Sequence, residues 1–109
     1  TLRDTSIATD RLAASVEKVG EIFPTDGFWM DKKGNLYLSD VTHNAVARRD
    51  PNGRVEQLVS DPRLQWPDTF SEGPDGAIYV TASHINESPR FNQGKSVRNT
   101  PYGVFKFNP

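Results

Sequence analysis

Asp26, Gly34 and Tyr37 recur as Asp68, Gly76 and Tyr79, each 42 residues later. The first copy reads Asp26-Gly-Phe-Trp-Met-Asp-Lys-Lys-Gly-Asn-Leu-Tyr-Leu38, the second Asp68-Thr-Phe-Ser-Glu-Gly-Pro-Asp-Gly-Ala-Ile-Tyr-Val80. Each is a short run, a polar turn ending in Gly, then an alternating strand. A period of ~40–45 residues made of short strands marks one blade of a β-propeller. A blade is one wedge of a closed ring, so a chain holding two of them is either part of something longer or one subunit of an assembly. The 109 residues suffice for one ordinary domain but fall short of a whole propeller, which has about four to eight blades.

Strand and turn signals fill in the wedges. A single helical turn is expected over Arg11–Ala14, capped by Thr9 or Asp10, whose short polar side chains accept from free amides. Val16, Val19, Ile22 and Phe23 stand among Glu17, Lys18 and Glu21, which reads as a strand ended by Pro24. Strands follow at 27–30, 35–39, 45–49 and 54–60. Asp31–Gly34 and Asp50–Gly53 form turns between them, with Gly where positive φ is needed. That is one complete four-strand blade over 26–60. The second blade starts at Trp66-Pro67-Asp68, turns at Gly73–Gly76 and continues through 77–81. Its third strand, 102–107, comes only after the polar stretch 82–101, and no fourth is visible. A loop that long in a compact domain is usually functional or disordered. The leading strand at 16–23 belongs, on this reading, to a neighbouring blade, with residues 1–25 as its connector. The blade at 66–109 lacks its outer strand. These two defects are complementary, because propellers close by removing unpaired edges. The expected fold is therefore all-β: two blades of a propeller with four-stranded antiparallel blades.

Composition excludes several partners. A formal charge of −1 argues against nucleic acid. No apolar run approaches the ~18 residues of a membrane helix. Cysteine is absent, which removes disulfides, thiolate nucleophiles and cysteine metal sites. The two histidines, His43 and His84, are 41 apart and so not equivalent in the repeat. No Ser-His-Asp order can be assigned to them.

The candidate site lies where the blades begin. Asp26 and Asp68 hold equivalent positions at the start of each innermost strand, the strand that lines the central channel. Paired carboxylates there suit a hard divalent cation such as Ca²⁺, a cationic amine, or general-base chemistry. The competing reading is that each satisfies backbone N–H groups at the start of a strand. The 82–101 loop sits at the same end and offers Ser83, His84, Arg90, Phe91 and Asn92 as a wall over the channel mouth, with Phe91 alternatively pinning the loop down. Asn86-Glu-Ser88 fits the glycosylation sequon. Trp29, Trp66, Phe28, Phe70, Tyr37 and Tyr79 are expected in the core between blades.

The stretches Thr25-Asp-Gly27, Gly34-Asn-Leu-Tyr37, His43-Asn-Ala-Val46, Asp50-Pro-Asn-Gly53 and Asp61-Pro-Arg-Leu-Gln-Trp-Pro-Asp68 resemble the Yellow/major royal jelly protein family, its bacterial branch most of all. The likeness extends to Leu2-Arg-Asp4, Arg90-Phe-Asn-Gln-Gly94 and Pro101-Tyr102. It implies a six-bladed propeller roughly three times this length, of which this chain matches the last two blades, and it favours a secreted or periplasmic protein. The family is similar in fold to senescence-marker-type gluconolactonases, where the Asp of a Pro-Asp-Gly motif holds a divalent cation. Thr25-Asp26-Gly27 resembles that motif with Thr for Pro, which implies Asp26 as metal-ligating and catalytic residue. Three functions follow: a small-molecule-binding or lactone-hydrolysing propeller with a divalent cation, a non-enzymatic protein that binds small aromatic or cationic ligands through Asp26, Asp68 and Phe91, or an engineered piece of a propeller with no native activity. The partners expected are a small molecule and either further copies of the chain, three two-blade units making six, or the rest of a longer chain.

Overall fold

A computed structural model describes residues 3–109, so Leu2 of the Leu2-Arg-Asp4 stretch lies outside the described residues. Helix α1 spans Thr9–Ala14. Seven strands follow: β1 Phe28–Met30, β2 Leu36–Asp40, β3 Ala45–Arg49, β4 Val55–Ser60, β5 Pro67–Glu72, β6 Ile78–Ala82 and β7 Gly103–Phe107. They form two antiparallel sheets, β1-β2-β3-β4 and β5-β6-β7. The blades are thus placed as the repeat predicts, four strands and then three.

The turns obey the glycine rule. Gly34 and Gly76 sit at φ +82° and +77°, a region where a side chain costs energy and Gly does not. Asp31 braces the first turn: its carboxylate accepts from the amides of Lys33 and Asn35, the Asn35 side chain and the Tyr37 hydroxyl. Burial pushes the Asp31 carboxyl up, but those hydrogen bonds, led by the Asn35 side chain, outweigh it and hold the group below its ordinary value. Burial is also the main cause that pushes the Tyr37 hydroxyl up, with the Asp31 charge adding to it.

Alternation in the strands aims one face of each sheet into a shared core. Tyr37, Val46, Leu64, Phe70, Ile78 and Val80 are buried together, and Trp29, Leu58, Phe105 and Phe107 pack against them. The innermost strands β1 and β5 lie side by side, as neighbouring wedges should. The approach is tight at Gly27, just before β1, where a Cβ would stand 1.5 Å from the Asp68 carbonyl oxygen. Only a residue without a side chain fits there.

Two expectations are corrected, and a third finds no partner among the described residues. Phe28 does not join the core: β1 alternates, Trp29 turns inward, and Phe28 and Met30 face outward at 66% and 59% exposure. The segment Val16–Phe23, expected as a strand of a neighbouring blade, pairs with no sheet edge among the described residues. It runs as an irregular segment with Val16 and Val19 exposed, tied down where Arg49 Nη2 donates to the Val19 carbonyl at 3.3 Å. Apolar alternation reports a preference for a pleated, half-buried surface, but a strand also needs a partner edge. The helix starts at Thr9, earlier than expected, and Ala8 stands at its N-cap; its carbonyl accepts from the Leu12 amide, but its methyl group offers no side-chain cap.

Candidate functional site

The start of each blade is built by one repeated device. Ser39 Oγ accepts from the amides of Asp26 and Gly27, at 2.9 and 3.1 Å. In the second blade Thr81 Oγ1 accepts from the Thr69 amide at 3.2 Å. Both hydroxyls and both amides obey the 42-residue spacing (81−39 and 69−27). In the second blade the Thr69 amide needs a side-chain acceptor because the ladder is interrupted: between Pro67 and Phe70 the register with β6 shifts, so Asp68 and Thr69 together oppose Thr81. Such a bulge re-aims side chains and is common beside functional sites. It places Asp68, half-buried, with its Oδ1 accepting from the Thr69 hydroxyl at 3.2 Å.

Trp66 joins the candidates. It holds φ +52° although it precedes Pro67, and both the bulky side chain and the following proline disfavour that conformation. The surroundings fix it. Its carbonyl accepts from the Ser83 amide at 3.1 Å and the Ser83 hydroxyl at 3.2 Å. Its indole Nε1 donates to Asp26 Oδ2 at 2.7 Å, and its ring meets Phe91 with centroids 5.5 Å apart at 51°. The Arg90 guanidinium stands 5.9 Å from the Phe91 centroid on the same loop. Backbone strain of this kind gathers at ligand clamps. Asp26 and Phe91 therefore converge on the Trp66 indole, while Ser83 holds the Trp66 backbone carbonyl. Asp26 is exposed, and among the described residues no other donor reaches its carboxylate.

The remaining loop residues part company. Asn92 spends both amide hydrogens inside the loop, on the carbonyls of Asn86 at 2.7 Å and Ser88 at 2.9 Å. It braces the two short 3-10 turns, Ile85–Glu87 and Pro89–Phe91, that replace the featureless loop expected at 82–101. Asn86, the sequon asparagine, is itself tied to Gln65 Oε1 at 3.0 Å. His84 turns away from Trp66, toward Glu87 and Tyr102. His43 sits on the β2–β3 connection, its Nδ1 2.8 Å from Asp40 Oδ2. Trp66, Ser39 and Thr81 were missed as site-building residues. The hydroxyls carried a signal in their spacing; the indole carried none beyond its place before Pro67-Asp68.

The divalent cation does not fit the residues present. Among the described residues no three His, Asp or Glu side chains gather as a ligand set. Ca²⁺ asks for about six to eight oxygens, while Asp26 offers one carboxylate with one oxygen already engaged by the indole. A metal-ligating or catalytic Asp26 would need ligands from outside this chain.

No family model matches the chain, and no curated protein matches it. The likeness to the Yellow family thus rests on the quoted stretches alone. Among solved structures, the chain is similar to a catalytically inactive variant of virginiamycin B lyase from Staphylococcus aureus with quinupristin, at 15% identity and a TM-score of 0.50. That similarity covers 85% of this chain and 29% of the other. Selenomethionine-substituted virginiamycin B lyase from the same organism aligns at 11% identity and a TM-score of 0.49, over 78% and 27% of the two chains. The chain spans less than a third of these propellers. At such identity the likeness bears on fold: an all-β partial propeller.

Proposed function

We propose that this chain is the part of a β-propeller that carries a binding site for a small aromatic amine, at the end where Asp26, Trp66 and Phe91 meet. The observation behind this reading is the indole of Trp66, held at φ +52° between the Asp26 carboxylate and the Phe91 ring. Two aromatic faces beside an exposed carboxylate suit an ammonium group attached to a ring: the faces attract the cation through their quadrupoles, and the carboxylate balances its charge. The Arg90 cation beside Phe91 illustrates the same attraction within the protein. Binding of this kind needs no metal, which favours it over lactone hydrolysis, since among the described residues no cation ligand set gathers.

Intrinsic fluorescence tests the proposal. The chain has two tryptophans, so Trp29→Phe leaves Trp66 as the sole reporter. An arylethylamine is expected to quench Trp66 in a saturable way, with or without chelator. The matching uncharged aryl alcohol should bind about tenfold more weakly, the size of one cation–π or charge-assisted contact of ~1.4 kcal/mol. Asp26→Asn should close most of that gap. Equal affinity for amine and alcohol would overturn the reading.

A further inference from the structure

A second groove, about 460 Å³ in volume, lies between the blade connection and the far end of the long loop. Pro62, Arg63, His84, Glu87, Tyr102 and Phe105 are among the residues that line it, and it shares none with the Asp26–Trp66–Phe91 cluster. His84 and Glu87 are both nearly buried, each side chain 12% exposed. His84 Nδ1 points at Glu87 Oε2 across 3.2 Å, a bent contact rather than a linear hydrogen bond. Glu87 is fixed by the Asn99 amide, which donates to the same oxygen at 2.8 Å; that bond, ahead of any other cause, holds the carboxyl below its ordinary value. In the neutral imidazole, a carboxylate facing Nδ1 favours the tautomer with its proton there, which leaves Nε2 as the lone-pair acceptor. Nδ1 is buried without a well-formed hydrogen bond, and Nε2, which also makes none among the described residues, is the less enclosed nitrogen. The backbone of His84 is held at φ +53°, and the Tyr102 ring stands edge-on to the imidazole at 5.5 Å. The cation of the groove is already spent: Arg63 grips both carboxylate oxygens of Asp61. The groove therefore presents an acceptor among aromatic and proline faces, and the cation among its lining residues is already engaged.

We propose that this groove binds a small phenol, whose hydroxyl donates to His84 Nε2 while its ring packs against Tyr102 and Phe105. The acceptor selects for a donor, and the apolar faces select for a ring. Glu87 is a positioning residue that sets the tautomer of His84 without touching the ligand.

The test is an NMR shift titration of the whole chain with 4-methylphenol and, in parallel, its methyl ether, which has the same ring but no donor. The phenol is expected to move the amides of 84–87 and 102–105, and to bind at least about tenfold more tightly than the ether, because the ether leaves the imidazole nitrogen unpaired. His84→Asn, tolerated at positive φ better than most residues, should bring the phenol down to the level of the ether. Asp26→Asn should leave the preference unchanged, which separates this site from the amine site. The proposal is overturned if phenol and ether bind alike, if neither binds, if the preference survives His84→Asn, or if the shifts gather around Trp66 and Phe91.

Discussion

Gly27 shows how much one missing side chain controls. Its neighbour across the blade junction is the backbone carbonyl of Asp68, and a Cβ at 1.5 Å leaves no room for local adjustment. Gly27→Ala should lower unfolding free energy by about 2 kcal/mol or more, because β1 must move off β5. Gly76→Ala has open space around its Cβ and only the positive φ to pay for, so a loss of about 1 kcal/mol is expected in the same urea titrations. A reversed ranking would mean that the two blades are not in contact at Gly27. Charge at single residues is equally specific. Asp61 accepts from Arg63 at both carboxylate oxygens, first through the guanidinium and then through the backbone amide, and its carboxyl is lowered to about 2. A lowered folded value means that this pair adds stability above the unfolded carboxylate value of ~3.9, and that the contribution fades as pH falls from there through about 2. Carboxyl NMR should follow Asp61 titrating near 2, and Arg63→Ala should raise it only part of the way, since the backbone donor remains. At the proposed amine site, Arg90→Ala removes a resident cation from the Phe91 face. It should tighten arylethylamine binding severalfold rather than weaken it, and fluorescence titration reads the sign directly.

The long loop is the element whose character depends most on one bracing side chain. Asn92 holds the carbonyls of Asn86 and Ser88, and Val97 N and Asn99 N close the loop onto Glu87. Asn92→Ala should therefore speed proteolytic cleavage within 82–101 while leaving the melting of the two sheets almost unchanged, since none of these bonds reaches the core. Elements of this sort divide what was legible from what was not. The turns ending in Gly34 and Gly76, and the strands around them, follow from residue chemistry confined to a few positions, and they stand within a residue or two of where the spacing puts them. The blade start was half legible. Asp26 and Asp68 repeat in the sequence, but the bulge that sets Asp68 arises from pairing across β5 and β6. Trp66 read as core because an indole usually is; its orientation depends on Ser83, Asp26 and Phe91, which lie 17, 40 and 25 residues away along the chain. The segment 16–23 has a pattern fit for a strand and meets no sheet edge among the described residues, so its expected place in a neighbouring blade rests on the pattern alone.

At the scale of the molecule, two packed wedges leave two faces without neighbours. The Cα radius of gyration is 16.6 Å, against about 13 Å for a compact domain of this size. Phe28 and Met30 are exposed on the outer face of the first blade, and Val104 is 70% exposed on the second. Among the described residues the β7 edge of the three-stranded sheet is also unpaired. Apolar faces and open edges of this kind drive association. The 109-residue chain by itself is therefore expected to associate at micromolar concentration, and three copies would supply six wedges, enough to close a ring around a channel. Light scattering should then give three times the mass of one chain. Phe28→Lys offers the sharper form of the experiment. Its side chain is mostly exposed in the single chain, so the substitution should cost little stability there; in a ring it would bury a charge between blades and hold the chain monomeric. A wild-type chain that stays monomeric, or a Phe28→Lys variant that assembles as before, would show that closure by copies of this chain is not how these faces are covered.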